Sequence, residues 1–281
     1  MIIWLASYPK SGNTWLRSLL ASYFFSKDGN FQFDLLKYID QFPSYNHFKK
    51  YDEKFLNPTD TSKYWLREQN KINDDGKIKF FKTHSALCKI DGNRFTNPQN
   101  TLGAIYIIRD PRNVITSLAH HYQLNLEEAL EFMKIEKKAI IQKKDQSYVG
   151  FTALFSWIFH QKSWIDNKLY PTLVIRYEDL QDETFSVLKK VIKFINTITK
   201  SKKLFDREKA KKSIQSCSFE KLKKLESEQG FDEAVISKNK IKKINFFNLG
   251  KNNDYKKLLD KNLIDRMNEE FKQEIKKYNY D

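Results

Sequence analysis

The chain has 281 residues and a formal charge of +15, because 50 Lys and Arg outnumber 35 Asp and Glu. Hydrophobic residues make up 40% and aromatic residues 15%, which excludes a disordered chain. No apolar run approaches the roughly 18 residues of a membrane span, and no basic leader follows Met1, so we expect neither a transmembrane segment nor a signal peptide. Only two cysteines, Cys88 and Cys217, are present, too few for a disulfide framework. We therefore expect a reduced, cytoplasmic protein.

The positive charge implies an anionic partner, which is a nucleic acid, a membrane surface or a polyanionic small molecule. Basic residues are most frequent between positions 189 and 224, where they are interspersed with apolar residues at helical spacing. A solvated, lysine-rich helical face has the same pattern, so charge alone does not identify the partner.

Four short apolar runs predict buried strands, at residues 2–7, 77–82, 102–109 and 172–176. Each run is followed by a polar turn and then by a helical segment or a loop. This alternation favours an α/β fold with a mainly parallel central sheet flanked by helices. No repeat, Pro-rich linker or low-complexity stretch divides the chain, so we predict a single domain over residues 1–281.

Helical periodicity appears in five segments. The predicted helical segments are residues 16–24, 126–144, 149–168, 185–198 and 260–278. Residues 28–76 and 228–247 have weak periodicity. We expect these two stretches to form the walls of a substrate pocket or a peripheral layer, and the second to be a mobile loop.

The segment between the first predicted strand and helix combines residue types that bind an anion. A turn there brings backbone N–H groups and the positive end of the helix dipole together. Gly12 permits close approach of a phosphate, and Trp15 is either a core residue or a platform for a base. The other candidate residues are Lys10, Ser11, Asn13 and Thr14. The lysine precedes the glycine, unlike in a Walker A loop, so the segment is either a different phosphate site or an ordinary turn.

A second candidate anion site follows the third predicted strand. Arg109 stands at the carboxyl end of that strand, and its guanidinium offers a two-pronged donor to a phosphate just before a helix begins. Ser117 lies two turns into that helix and can point back toward Arg109. The alternative is a structural ion pair of Arg109 with Asp110 or with another carboxylate.

The second predicted strand ends in Lys82-Thr83-His84. Histidine suits the removal of a proton from an alcohol near neutral pH. Lys82 and His84 are two residues apart on an extended strand, so both can face one site. The remaining histidines are interpreted as structural, namely His47, His120, His121 and His160.

Taken together, these motifs resemble those of the cytosolic-type sulfotransferases. Residues 7–15 resemble the family's 5′-phosphosulfate loop, residues 107–117 its 3′-phosphate motif and residues 80–84 its catalytic segment. The resemblance implies an enzyme that moves a sulfuryl group from 3′-phosphoadenosine-5′-phosphosulfate (PAPS) to a hydroxyl or amine, leaving 3′-phosphoadenosine-5′-phosphate (PAP). It also implies a P-loop-like strand–loop–helix phosphate site.

The resemblance also implies individual roles. His84 takes the position of the catalytic base, Lys82 that of the lysine contacting donor and acceptor, and Lys10 that of the lysine stabilising charge on the leaving phosphate. The implied phosphate-binding residues are Ser11, Gly12, Asn13, Thr14, Arg109 and Ser117. A P-loop kinase remains an alternative, although the chain has no Walker lysine and no evident acidic magnesium ligand.

Later segments resemble the family's adenine pocket. Tyr177 and Phe219 keep its aromatic positions, and with Trp15 they are expected to surround the adenine. Cys217, next to Ser218, replaces the family's threonine.

The late glycine motif departs from the family. Gly250 is in place, but Asn248 and Leu249 stand where the family has Arg-Lys, so two cationic contacts to the 3′-phosphate are missing. Lys251 is the candidate to supply one of them. Because of this departure, a further alternative is a family member that binds the nucleotide but does not catalyse transfer.

The expected acceptor is a small molecule, a lipid or a carbohydrate with a hydroxyl or an amine. No metal is expected, since no cluster of His, Cys and carboxylate residues suggests one. The sulfotransferase interpretation expects no nucleic-acid partner. A nucleic-acid-binding protein is the non-enzymatic alternative, supported by the +15 charge alone.

Overall fold

The computed structural model describes residues 1–51, 54–144, 147–236 and 243–281. Its strands are β1 (Ile2–Ser7), β2 (Ile39–Gln41), β3 (Lys79–Thr83), β4 (Lys89–Ile90), β5 (Asn93–Arg94), β6 (Thr101–Ile108), β7 (Ala139–Lys144), β8 (Ser147–Ala153), β9 (Thr172–Arg176), β10 (Val235–Ile236) and β11 (Lys243–Ile244). Its α-helices are α1 (Asn13–Phe25), α2 (Tyr45–Phe48), α3 (Trp65–Asn73), α4 (Pro111–Tyr122), α5 (Leu126–Lys134), α6 (Trp157–Ile165), α7 (Tyr177–Asp182), α8 (Thr184–Ile198), α9 (Arg207–Ser216), α10 (Phe219–Gln229), α11 (Tyr255–Leu258), α12 (Lys261–Glu270) and α13 (Lys272–Lys277). Short 3₁₀ helices lie at Phe33–Tyr38, Asp60–Tyr64 and Gly250–Asn252.

A five-stranded sheet in the order β2-β3-β1-β6-β9 forms the centre, and all its neighbouring strands are parallel. The four predicted strands are therefore confirmed, with ends shifted by one or two residues in β3 and β6. Sequence reasoning missed β2, which is three residues long and lies within the weakly patterned stretch 28–76.

Both faces of the sheet are covered, which explains why β1 is buried along its whole length and apolar from Ile2 to Ala6. Ile2, Trp4 and Ala6 point into a core shared with α4, α6 and α12. Ile3 and Leu5 point into the opposite core, which α1 and α8 complete. Alternate residues of one strand thus contribute to two separate cores.

Two predicted helices are wrong in part, because residues 139–153 form the antiparallel hairpin β7–β8. Of the predicted helix 126–144, only α5 is helical, and it ends where Ile135 turns extended. Of the predicted helix 149–168, only α6 is helical, and it begins after the side-chain cap supplied by Ser156. The hairpin buries Phe151 and Ala153 in the core, and a helical pattern in this stretch is overridden by that packing.

The two remaining helical predictions near the C-terminal end differ in outcome. Residues 185–198 are helical as predicted, within α8. The predicted helix 260–278 is divided into α12 and α13 at Phe271, whose φ of −108° and ψ of 18° interrupt the helix. Within 228–247, residues 237–242 lie outside the described part of the chain, so the prediction of a mobile loop stays a prediction.

Parallel strands bring their carboxyl ends to one edge of the sheet. The segments after β1, β3, β6 and β9 therefore meet there, and these four segments carry the loop at 8–12, His84, Arg109 and Tyr177. In open α/β sheets this edge is where ligands bind.

Candidate active site

A cavity of about 600 Å³ opens at the carboxyl edge of the sheet. The predicted site residues that line it are Lys10, Gly12, Asn13, Thr14, Trp15, Lys82, His84, Arg109, Ser117, Tyr177, Ser218, Phe219, Gly250 and Lys251. Ser11 and Cys217 are not among its lining residues. Ser11 is 1% exposed within the loop at 8–12, and Cys217 is fully buried, where its carbonyl accepts a 3.0 Å hydrogen bond from Trp15 Nε1.

The loop after β1 requires a glycine at position 12. Its φ of 99° is left-handed, and a Cβ atom there would lie 2.4 Å from Cδ2 of Tyr177. The Asn13 amide donates a 2.9 Å hydrogen bond to the Leu5 carbonyl and ties the start of α1 to β1. The N-terminus of α1 is thereby fixed at the cavity wall, where its free N–H groups and dipole favour an anion.

Arg109 is buried at the end of β6, with 6% of its surface exposed. Its Nη1 donates to the Lys10 carbonyl at 2.9 Å, and its guanidinium lies 4.0 Å from the Tyr177 ring centroid. Among the described residues, Arg109 Nε and the buried hydroxyl of Ser11 have no hydrogen-bond partner. Two unpaired donors at the edge of this cavity are what an oxygen-rich anion would satisfy.

Asp110 pairs with Arg112, and none of the described carboxylates forms an ion pair with Arg109. Arg112 Nη2 lies 2.8 Å from Asp110 Oδ2, and the guanidinium is 4.2 Å from the Tyr255 ring centroid. Arg112 is therefore a buried structural residue and not a ligand of the cavity.

His84 is held by the end of β1. Its Nδ1 lies 2.7 Å from the Ser7 carbonyl oxygen, which can only accept, so Nδ1 carries the proton and Nε2 is left with a lone pair. Burial, and secondly the charge of Lys82, lower the pKa of His84 to about 3. The imidazole is thus neutral near pH 7, and the lone pair on its Nε2 is not blocked by a proton.

His160 supports this arrangement from behind. Its Nε2 lies 3.1 Å from the His84 carbonyl, while its Nδ1 lies 2.8 Å from the Tyr106 hydroxyl. The residue is fully buried, which agrees with its structural interpretation.

The two catalytic lysines predicted from the sequence have different neighbours. Lys10 Nζ lies 3.6 Å from the Phe246 ring centroid, and burial lowers the Lys10 pKa to about 7. Lys82 Nζ lies 2.8 Å from Oε2 of Glu233. Although burial raises the pKa of Glu233, the charges of Lys82 and Arg17 outweigh it and lower that pKa to about 2.

Aromatic rings line the other end of the cavity. Trp15 and Tyr177 meet edge to face at 5.9 Å between ring centroids. A Cβ atom on Gly250 would lie 2.7 Å from the ring of Phe219, so this glycine lets the late motif pack directly on the aromatic side chain. Ser117 accepts a 2.9 Å hydrogen bond from Asn253, and Lys251 is exposed at the rim.

Sequence reasoning missed several residues of the cavity. His121 and Phe246 line it, as does Glu233. His121 was interpreted as structural because a lone histidine on a helix carries no signal of its own. Glu233 and Phe246 lie within the weakly patterned stretch 228–247, where nothing marks them in advance.

Within the described ranges, no helix is long and apolar enough to cross a membrane. In the same part of the chain, no group of three or more His, Cys, Asp or Glu residues is arranged to hold a metal ion.

The model of the sulfotransferase domain family matches residues 2–279. The chain belongs to the sulfotransferase family. Among curated proteins it is 25% identical over 280 residues to the luciferin sulfotransferase of Photinus pyralis, an alignment that covers 96% of this chain and 70% of that protein.

Solved structures share the fold. Mouse sulfotransferase SULT7A1, complexed with PAP, gives a TM-score of 0.58 at 21% identity, with 98% of this chain and 84% of that chain covered. Retinol dehydratase, in complex with androsterone and PAP, gives 0.61 at 17% identity, with 98% and 80% covered. The predicted fold class and the prediction of a sulfotransferase enzyme are thus confirmed, and the kinase and nucleic-acid alternatives gain no support.

Proposed function

We propose that residues 1–281 form one functional domain that transfers the sulfuryl group of PAPS to a hydroxyl or amine of an acceptor. The observation that carries the proposal is the meeting of Lys10, Lys82, His84 and Arg109 around one cavity, from the ends of three neighbouring parallel strands. The PAP-bound structures of SULT7A1 and retinol dehydratase support PAPS as the donor.

The residues present fit such a donor. The unpaired donors of Ser11 and Arg109 suit phosphate oxygens, and the left-handed Gly12 turns the loop into the N-terminus of α1. When bound, PAPS supplies a sulfuryl group whose in-line transfer depends on positioning and electrostatic stabilisation, as phosphoryl transfer does. Arg109 and Ser117 hold the 3′-phosphate in this proposal.

The remaining phosphate and adenine contacts come from the rest of the predicted set. Backbone and side-chain donors of the loop cradle the 5′-phosphate, while aromatic faces enclose the adenine. The residues assigned to these tasks are Ser11, Gly12, Asn13 and Thr14 for the 5′-phosphate, and Trp15, Tyr177, Cys217, Ser218 and Phe219 for the adenine. Cys217 acts indirectly, because its carbonyl fixes the Trp15 indole. Gly250 and Lys251 close the 3′-phosphate side.

His84 acts as the general base. Its Nε2 lone pair takes the acceptor's proton, while Nδ1–H remains on the Ser7 carbonyl and keeps the ring oriented. Lys82 holds the sulfonate oxygens and Lys10 stabilises negative charge on the leaving 5′-phosphate. Because Lys10 has a pKa of about 7 in the free protein, an anion beside it favours its charged form.

The acceptor in this proposal is a small molecule, a lipid or a carbohydrate. The cavity wall combines polar residues such as Gln41 and Thr152 with apolar ones such as Ile140 and Phe246, which suits an amphipathic alcohol or phenol. We place the enzyme in the cytoplasm, since both cysteines are free.

The test is calorimetric titration of the protein with PAP, beside ADP and AMP, in buffer without metal ions. Micromolar binding that requires the 3′-phosphate is the expected result, and it is followed by an acceptor screen with PAPS in which sulfated product is measured. Equal affinity for PAP and ADP, with no sulfated product, would reject the proposal.

A further inference from the structure

The carboxylate of Glu233 lies where an anion of the donor would be expected. Its Oε2 is 2.8 Å from Lys82 Nζ and accepts a 2.9 Å hydrogen bond from the Thr14 hydroxyl. Its Oε1 is 2.7 Å from Arg17 Nη1. Three donors from α1 and β3 thus converge on one carboxylate at the catalytic edge of the sheet.

These donors are built into the fold independently of Glu233. Arg17 also donates from Nε to the Ile39 carbonyl at 2.6 Å and from Nη2 to the Leu36 carbonyl at 2.9 Å. Lys82 is 3% exposed on the buried strand β3. Two backbone carbonyls therefore hold Arg17 independently of Glu233, and Lys82 stays buried on β3 when the carboxylate is elsewhere.

Glu233 itself is held less firmly. It lies in a turn between α10 and β10, where the Ala234 N–H bonds the Phe231 carbonyl at 3.0 Å, and its side chain is 21% exposed. This turn belongs to no helix and to no strand of the central sheet. If the carboxylate leaves, two buried cations need another anion, because an unpaired buried charge is costly.

We propose that Glu233 occupies, in the free protein, the subsite that takes an anionic oxygen of the donor's phosphosulfate group, and that donor binding displaces it. Thr14, Lys82 and Arg17 form this subsite, and Arg17 is thereby a further donor-binding residue. The inference rests on the proposed function. Glu233 offsets one of the two positive charges of Lys82 and Arg17 in the free protein, and only a ligand with an anionic 5′ group replaces it.

A fixed role for Glu233 predicts the opposite. If the carboxylate stays in place and positions Lys82 during the reaction, its removal weakens donor binding. Displacement instead means that the carboxylate competes with the donor, so its removal strengthens binding by raising the fraction of protein with an open subsite.

The experiment compares Glu233→Gln with Asp232→Asn, which removes one negative charge from a neighbouring residue of the same cavity wall. PAPS, PAP and adenosine 3′-monophosphate are titrated into each protein by calorimetry. We expect Glu233→Gln to bind PAPS about tenfold more tightly than the unmodified protein, and Asp232→Asn to change binding less than about twofold. Adenosine 3′-monophosphate, which has no 5′ anion, is expected to bind both variants alike.

The ligands separate the possible occupants of the subsite. A gain for PAPS alone assigns it to the sulfonate, and an equal gain for PAP assigns it to the 5′-phosphate, and either gain supports displacement. Unchanged or weaker PAPS binding by Glu233→Gln overturns it. If neither protein prefers PAPS or PAP to ADP, the proposed function fails instead.

Removal of the charge leaves Lys82 and Arg17 unpaired, so folding of the variant is checked by its thermal unfolding. Glu233→Asp is the second variant. It keeps the negative charge, but its side chain is one methylene shorter and reaches Thr14, Lys82 and Arg17 less well. Tighter PAPS binding by Glu233→Asp supports displacement, and equal or weaker binding overturns it.

Discussion

The imidazole Nδ1 of His84 lies 2.7 Å from the carbonyl oxygen of Ser7. This contact joins the ends of two neighbouring parallel strands, β1 and β3, and it settles which ring nitrogen carries the proton. A histidine at the end of β3 thereby presents its basic nitrogen to the same cavity as the loop that follows β1.

Replacement of His84 by Asn is expected to remove turnover while leaving nucleotide binding nearly unchanged. The amide can still donate to the Ser7 carbonyl, but it is no base, so kcat should fall about 10²- to 10⁴-fold. The rate at which sulfated product forms is measured at saturating PAPS, and the affinity for PAP is determined in parallel. His47→Asn, at a histidine that does not line the cavity, is the control, and full activity of His84→Asn would refute the assignment.

Replacement of Arg109 by Lys tests the 3′-phosphate site. The charge is kept, but the two-pronged donor and the stacking on Tyr177 are lost, so PAP affinity should fall about tenfold or more. ADP, which has no 3′-phosphate, should bind the variant and the unmodified protein alike. An equal loss for both nucleotides would place Arg109 elsewhere in the site.

Gly12 and Gly92 form a matched pair for backbone strain. Both have positive φ, 99° and 83°, but a Cβ atom at Gly12 meets the Tyr177 ring at 2.4 Å, whereas nothing lies within 4 Å of one at Gly92. Gly92→Ala should cost roughly 1 kcal/mol of stability, while Gly12→Ala should cost more and abolish PAP binding. Urea unfolding and calorimetry measure the two effects, and similar behaviour of the variants would contradict the packing.

The Lys10 ammonium should take up a proton when PAP binds. Burial lowers its pKa to about 7, so above pH 7 the free lysine is largely neutral, and a bound anion must be matched by protonation. PAP affinity should therefore fall up to about tenfold per pH unit above pH 7. Calorimetry at pH 8 in two buffers of different ionisation enthalpy measures the uptake, which Lys10→Met should abolish and the rim variant Lys251→Met should keep. A flat affinity without uptake would contradict the prediction.

Three histidines with strongly lowered pKa values should make the protein sensitive to acid. Burial lowers the pKa of His84, His121 and His160 to about 3, from a value of 6.5 in the unfolded chain. Between these values the unfolded chain binds more protons, so stability falls as pH drops below 6.5 and is insensitive to these groups above it. The expected loss is up to about 1.4 kcal/mol per pH unit for each histidine.

Urea unfolding at pH 7.5, 6.5 and 5.5 measures this dependence. His160→Gln should reduce the slope below pH 6.5, since one of the linked imidazoles is removed. A free energy of unfolding that stays constant from pH 7.5 to pH 5.5 would show that these imidazoles are accessible to protons in the folded state.

Local patterns in the sequence determined most of the fold and the main members of the site. Buried parallel strands are continuous apolar runs, so β1 and β9 were predicted to the residue. The main site residues stand just after predicted strands, namely Lys10, Gly12, His84 and Arg109. The carboxyl ends of neighbouring parallel strands lie at the same edge of the sheet, so these residues come close together.

Contacts between distant parts of the chain were decided only by the tertiary structure. The strand β2 is three residues long and exists because β3 offers it a parallel edge, and the hairpin β7–β8 is fixed by burial of Phe151. Glu233 reaches Thr14 across 219 positions. Such a contact leaves no periodic trace in the sequence, because it depends on one side chain in a turn and on the shape of the cavity that the fold presents to it.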